Sequence, residues 1–304
     1  MPTSLHKADW IAVDWGTSNL RAWAMTDQGE ILAHANSPDG MGSLPPDGFE
    51  PALLRLIDSW LGAGTTPVIA CGMVGAKQGW AEAAYAKAPC PASSDTLTRA
   101  PTHDTRLDVR IIPGVCQPDP ADVMRGEETQ IAGYLAHDPN FDGILCLPGT
   151  HTKWVHISAQ EIVSFRSFMS GELFALLSQN SVLRHSIGDD GWDDTAFADT
   201  LDAVISRPET LAARLFSIRA EQLLHDQSPQ VARARLSGLL IGAELAAAKP
   251  YWLGQPVVLI GAPQLTKNYA TALAAQGVTP TVKQGDSLTL AGLTAAYSAQ
   301  KDSK

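Results

Sequence analysis

Apolar residues near the start of the chain fall in short runs. Trp10-Ile-Ala-Val-Asp14 is one such run. Residues 20–25 alternate with period two, and a third run at 31–35 follows the turn Asp27-Gln-Gly-Glu30. Together they predict a three-strand meander. Residues 48–61 carry Leu53, Leu54, Ile57 and Leu61 on one helical face. A buried strand at 68–71 then runs into a glycine-rich loop, 72–79. Residues 88–103, rich in Pro, Ser and Thr, read as a loop or lid, 109–112 as a strand and 121–136 as a helix closed by Asp138-Pro-Asn140.

The opening pattern then returns. Residues 144–147, 153–157 and 161–165 predict a second meander, with a turn at 148–152. A largely helical stretch at 170–248, interrupted near 185–193, follows. Strand 257–260, helix 264–275, strand 280–283 and helix 286–297 complete the chain. Asp14-Trp-Gly-Thr-Ser-Asn19 aligns with Leu147-Pro-Gly-Thr-His-Thr152. Each copy has an apolar strand, a Gly-Thr bend and a strand carrying Arg21 or Lys153. A repeat half a chain apart predicts two related α/β lobes. The expected lobes are residues 1–125, joined by the last helix at 286–304, and residues 126–285.

A chain of 304 residues suits two medium cores. Its 45% hydrophobic and 18% charged residues are ordinary for a globular enzyme. A net charge of −10 argues against a sequence-independent grip on nucleic acid, although local cations can still receive an anion inside a cleft. Cys71, Cys90, Cys116 and Cys146 form no CxxC pair and have no His cluster, so reduced thiols are expected rather than a zinc site. The N-terminus has no apolar signal core, and the longest apolar stretch, 236–248, is too short for a bilayer and contains Glu244. A cytoplasmic protein with no membrane partner is expected; whether it forms a homo-oligomer stays open.

A bend of Gly16, Thr17, Ser18 and Asn19 between strands can aim amides and hydroxyls at a phosphate, and Gly16 lets the backbone come close. Asp14, at the strand end, suits a hydrated Mg2+. An ordinary hairpin turn is the plainer reading. The second bend, with Gly149, Thr150, His151, Thr152 and Lys153, shifts the balance toward phosphate binding. His151 reads either as a phosphate donor or as a turn residue. No GxGxxG follows the first strand, and no GxxxxGK[ST] occurs, so a dinucleotide oxidoreductase and a P-loop kinase are both disfavoured.

The segment Asp14–Asn19 resembles the first phosphate motif of the superfamily that contains sugar kinases, acetate kinase, actin and the heat-shock chaperone ATPases. Residues 147–153 resemble its second phosphate motif, and Leu259-Ile-Gly-Ala-Pro263, with Gly261 and Ala262, its adenosine motif. Residues 72–80, 121–130, 147–154 and 168–174 together resemble the 2-dehydro-3-deoxygalactonokinase family along most of the chain. The resemblance implies an α/β fold of two ribonuclease H-like, actin-like ATPase lobes, with mixed central sheets flanked by helices and a nucleotide cleft between them. It also implies ATP and Mg2+ as cofactors, and transfer of phosphate to the terminal 6-hydroxyl of 2-dehydro-3-deoxy-D-galactonate. Two departures stand out. The second motif lacks the acidic residue common in the superfamily, and Gly261-Ala-Pro replaces a frequent double glycine.

The base is then sought in Arg125-Gly-Glu-Glu-Thr, which opens a helix and is similar to a segment of exopolyphosphatases. Glu127 or Glu128 is the expected base, with Asp14 next; first-turn carboxylates that merely suit the helix dipole are the plainer reading. A sugar acid needs a cation, an amide and an apolar wall, and Lys77, Gln78 and Trp80 supply all three, unless they form only a surface turn. Arg166 is a second carboxylate partner. Glu172 is either a substrate contact or a helix cap. Gly238, Gly242 and Ala246 on one helix face are read as close packing. Two alternatives remain: a kinase for another sugar or sugar acid, and a non-catalytic regulator that senses sugar acids.

Overall fold

The computed structural model describes residues 7–94 and 96–302, which divide into two compact units. The first runs to Phe141 and takes in Ser158–Ser164 and the C-terminal residues from Gly285. It contains β1 (Trp10–Trp15), β2 (Leu20–Met25), β3 (Ile31–Ser37), α1 (Phe49–Ile57) and β4 (Thr66–Gly72). Short strand β5 (Tyr85–Lys87) precedes the segment read as a loop or lid, and β6 (Cys90–Pro91) and β7 (Thr98–Arg99) fall within it. Then come β8 (Leu107–Ile111), β9 (Gly114–Pro118), β10 (Ala121–Met124) and α2 (Glu127–His137). The second unit holds β11 (Gly143–Leu147), β12 (Thr152–Ser158), β13 (Glu161–Phe168), from Phe165 onward, and α3 (Ser170–Asn180). It continues with α4 (Asp194–Ser206), α5 (Leu211–His225), α6 (Pro229–Ala247), α7 (Lys249–Trp252), β14 (Val257–Gly261), α8 (Pro263–Ala275) and β15 (Thr281–Gln284). Helix α9 (Gly285–Asp302) returns to the first unit.

The main sheet of the first unit has the order β3-β2-β1-β4-β8-β7. β1 is antiparallel to β2 and parallel to β4, and β4 is parallel to β8. In the second unit the order is β15-β14-β11-β12-β13, with β11 antiparallel to β12 and parallel to β14. Each unit therefore has an antiparallel meander followed by parallel strands, added on the side of its first strand. This is the duplicated α/β arrangement that the repeat predicted.

Alternation along β1 decides how the first unit is layered. Ile11, Val13 and Trp15 point into a core with Phe49, Leu53 and Ile57 of α1. Trp10 and Ala12 face the opposite side, among Leu293, Ala296 and Tyr297 of α9, and the Trp10 and Tyr297 rings stack at 4.4 Å. In the second unit, Cys146, Trp154 and Leu259 pack on Phe197 and Leu201 of α4, Ile241 and Leu245 of α6, and Tyr269 of α8. A methyl group on Gly238 or Gly242 would strike α4 at Phe197 or Val204, so this pair does serve close helix packing.

The structure revises two readings. Residues 121–124 form strand β10 on β9 rather than a helical turn, and the helix begins only after Gly126. The repeat places α2 in the second lobe, with a boundary at 125; in the fold it lies in the first unit, where it packs along α9. All four cysteines are free. No helix among the described residues is long and apolar enough to cross a membrane.

Candidate active site

In the first unit, Asp14 stands near the end of β1, with Arg21 opposite it on β2 and Cys71 beside it on β4. Arg21 donates to Asp14 and also pairs with Asp286 at the start of α9. One oxygen of Asp14 is thus held by a guanidinium; the other lies 3.9 Å from the Cys71 thiol. Thr17, Ser18 and Asn19 are exposed at the bend, which is closed by Gly16 N–H donating to Asn19 O at 2.9 Å. Two glycines bring the next element close. Gly72 has φ +90° and Gly126 φ +110°, conformations that suit glycine; a Cβ on Gly126 would lie 3.5 Å from the Gly72 Cα. The end of β4 therefore meets the start of α2, and the charges of Asp14 and Glu128 both bear on the thiol of Cys71.

Glu127 and Glu128 differ sharply in environment. Glu127 is half-buried, and one of its oxygens accepts from Arg125 N–H at 3.1 Å. Glu128 is 1% exposed and accepts from Gly126 N–H at 2.7 Å and from the Thr129 hydroxyl at 3.1 Å. Burial first, and then the charge of Glu127, push the Glu128 carboxyl up to about 7, against the pull of those hydrogen bonds. The ordinary value is 4.5. From about that pH to about 7 the native protein holds a proton that the unfolded chain has lost, so this group's contribution to stability falls as pH rises. Glu128→Gln has no such proton to lose. Its unfolding free energy relative to the wild-type protein should therefore climb across this window in urea melts. A difference that stays flat from pH 4.5 to pH 7 would contradict the assignment.

The loop at residues 72–80, expected to receive the sugar acid, is mixed. Lys77 and Gln78 are exposed. Trp80 stacks on Phe49, meets Trp15 edge-on, and donates its indole N–H to Pro101 O at 3.0 Å, so its ring belongs to the core of the unit. Its edge lines a cavity of about 750 Å³ whose charged walls are Asp47, Glu50 and Asp104, a poor match for a carboxylate. Arg125 braces this loop from behind, stacked 4.4 Å over Tyr85 and donating to Ala83 O at 2.8 Å.

In the second unit the bend carries Gly149, half-buried, with Thr150 and His151 exposed. Thr152 and Lys153 are buried and hold the bend from below. Thr152 bonds the Tyr269 hydroxyl at 3.0 Å, and Lys153 donates to His151 O at 3.2 Å. The first turn of α3 closes on this bend. Glu172 N–H donates to Thr150 O at 2.9 Å, and the Glu172 carboxylate meets the His151 ring at 2.6 Å. A Cβ on Gly171 would lie 2.2 Å from Gly149 O. Arg166 is exposed on β13 in this unit, whereas Lys77 belongs to the first.

Two adjoining cavities connect this bend to the loop at Gly261 and Ala262. One, of about 110 Å³, is lined by Gly149, Ser170, Gly171, Phe174 and Tyr269. The other, of about 520 Å³, shares Phe174, Ser237 and Leu265 with it and reaches Ala262, Gln264, Trp192 and Arg233. Gly261 sits beside Pro148 O, where a Cβ would come to 3.2 Å. Sequence reading found Gly149 and Ala262 but missed Phe174, Trp192 and Arg233. They stand on helices and a loop distant in the chain; Phe174 ends the segment 168–174, but no local motif marks Trp192 or Arg233. The guanidinium of Arg233 lies 5.2 Å from the Phe174 ring centroid, making a flat cationic and aromatic wall.

Comparison with known proteins identifies the family. The family model for 2-keto-3-deoxy-galactonokinase matches residues 14–296. A protein of Rhizobium meliloti (strain 1021), assigned as a 2-dehydro-3-deoxygalactonokinase, is 38% identical over 293 residues, covering 94% of this chain and 96% of its own. The 2-dehydro-3-deoxygalactonokinase of Escherichia coli (strain K12) is 36% identical over 292 residues, with the same coverage. A crystal structure of a Sinorhizobium meliloti protein assigned to the same activity superposes with a TM-score of 0.89 at 38% identity, over 95% of this chain and 98% of that one. At 14% identity, component A of the Acidaminococcus fermentans (R)-2-hydroxyglutaryl-CoA dehydratase gives a TM-score of 0.55 over 97% of this chain and 99% of that one, a likeness of fold alone. With its duplicated actin-like fold and a family match spanning both units, the chain belongs to the 2-keto-3-deoxy-galactonokinase family.

Proposed function

We propose that this protein transfers the terminal phosphate of ATP to the 6-hydroxyl of 2-dehydro-3-deoxy-D-galactonate, with Mg2+. The observation that carries this reading is the pair of adjoining cavities in the second unit, which join the Gly149 bend to the Ala262 loop. Their lining suits a nucleotide, with its base against Phe174, Trp192 and Arg233 and its phosphates toward Gly149, Thr150 and the start of α3. Thr152 and Lys153 support that bend instead of touching the nucleotide.

The first unit supplies the acceptor chemistry. Glu127 accepts the proton of the attacking hydroxyl, and Glu128 lies behind it as a buried prop. Thr17, Ser18 and Asn19 offer the further hydrogen bonds expected of the first phosphate bend. Among the described residues no group of three or more His, Cys, Asp or Glu could hold a metal. Asp14 keeps one oxygen off Arg21, and a single carboxylate oxygen fits Mg2+, which would keep its waters and take most remaining ligands from phosphate. The ion would neutralise charge on the transferred group. Lys77 or Arg166 answers the substrate carboxylate.

A panel of sugar acids and sugars, assayed by coupled ADP release, tests this. Turnover should be highest with 2-dehydro-3-deoxygalactonate. Higher turnover on another acceptor would reassign the substrate. Absence of ADP release with every acceptor would favour the sensing regulator.

A further inference from the structure

One buried carboxylate in the second unit takes no part in the chemistry above. Glu244, on α6, is 2% exposed and is surrounded by donors from three other elements. Its Oε1 accepts from the Trp154 indole of β12 at 2.8 Å. Its Oε2 accepts from the Ser170 hydroxyl at the start of α3 and from the Tyr269 hydroxyl of α8 at 2.9 Å. Thr152, the residue that ends the phosphate bend, bonds that same Tyr269 hydroxyl at 3.0 Å.

A core gains little from burying a charge, since apolar residues of similar volume often do as well or better. A fully satisfied buried network does something else: it fixes one arrangement of the elements it joins. Here the elements joined are the strand leaving the Gly149–Thr150 bend and the first turn of α3, which clamps that bend through Glu172 N–H and the missing Cβ of Gly171. Two members of the network, Ser170 and Tyr269, themselves line the smaller cavity beside Gly149 and Gly171. The carboxylate therefore sits one layer beneath the surface that would receive nucleotide phosphates.

We infer that Glu244 is a positioning residue for ATP, acting through Ser170, Tyr269 and Thr152 to hold the second phosphate bend and the α3 start in register. The inference rests on the nucleotide reading of these cavities. It predicts an effect confined to one substrate. Glu244→Gln keeps the side chain's shape but cannot accept at both ends. It should weaken ATP binding by about tenfold or more, the usual scale for hydrogen bonds to a charged group, while the KM for the sugar acid stays within about twofold. Tyr269→Phe should shift ATP binding in the same direction by less. Val204→Ala, a buried packing loss on α4 against α6 that removes no hydrogen bond of the network, should lower the melting temperature without changing ATP affinity.

Titration calorimetry with Mg-ATP, paired with both KM values, decides the matter. If the wild-type protein takes up no ATP, the kinase reading fails. If it does and Glu244→Gln binds equally well, or if Val204→Ala loses as much ATP affinity as Glu244→Gln, only this inference fails. Should Glu244→Gln not fold, Tyr269→Phe carries the comparison, and unchanged ATP affinity there overturns the inference.

Discussion

Replacing Glu127 with Gln should lower turnover by about a hundredfold or more, with ATP affinity within about twofold of the wild-type protein, because a general base contributes on that scale to the chemical step alone. The two adjacent glutamates are separated by exposure rather than by sequence. A base must come within about 3 Å of the hydroxyl it deprotonates. Glu127 is half-buried at the first turn of α2, whereas Glu128 is closed off at 1% exposure, with its oxygens engaged by Gly126 N–H and the Thr129 hydroxyl. Glu128→Gln should cost less turnover and gain stability near neutral pH, since it removes a buried charge that burial and Glu127 disfavour. Single-turnover kinetics on both variants separate chemistry from product release. If both retain near-normal rates, the base lies elsewhere, and Asp14→Asn becomes the next variant to measure. If Glu128→Gln alone collapses, the two roles are exchanged.

Much of the fold was legible because its information is local and repeated. The alternation in residues 20–25 and the short apolar runs at 10–14 and 144–147 became β2, β1 and β11, and the Gly-Thr bends fell between the paired strands. The reading failed where two local signals competed. Residues 121–136 carry apolar spacing compatible with a helix, but Ala121–Met124 pairs with β9, and Gly126 at φ +110° sets the true helix start. The allocation of α2 was illegible for a different reason. Its partner α9 lies about 160 residues later, as the Gln130–Thr289 hydrogen bond shows, and nothing in a single sequence announces that pairing.

The candidate site divides along the same line. Residues in contiguous motifs, such as Asp14, Glu127, Gly149 and Ala262, could be named in advance. The wall as a whole could not: Phe174 ends the segment 168–174, but folding alone brings it to Trp192, on the loop before α4, and to Arg233, on α6. Glu244 is the sharpest instance. In sequence it was only a charge that spoiled an apolar run. In the fold it is the common acceptor for Trp154, Ser170 and Tyr269. Trp80 errs in the opposite direction: its motif suggested a wall for substrate, yet its ring faces Phe49 and Trp15.

The contact between α2 and α9 leads to the second large expected effect. A Cβ on Gly292 would lie 1.9 Å from Thr129 O, and one on Gly133 would lie 2.0 Å from Leu288 O. Both obstacles are backbone carbonyls, so no side-chain rotation relieves either clash, and the helices would have to separate. Overpacking of this kind costs about 3 kcal/mol. Gly292→Ala should therefore lower unfolding free energy by about that amount in urea melts, and Gly133→Ala by a similar amount. At their N-terminal ends the helices carry Glu127, the proposed base, on α2, and on α9 Asp286, paired with Arg21 beside Asp14. Separating them should reduce turnover as well as stability, and the loss of turnover should persist at temperatures where the variant is fully folded. If Gly292→Ala melts within about 0.5 kcal/mol of the wild-type protein, the two helices are not in backbone contact, and α9 cannot be what holds α2 in the first unit.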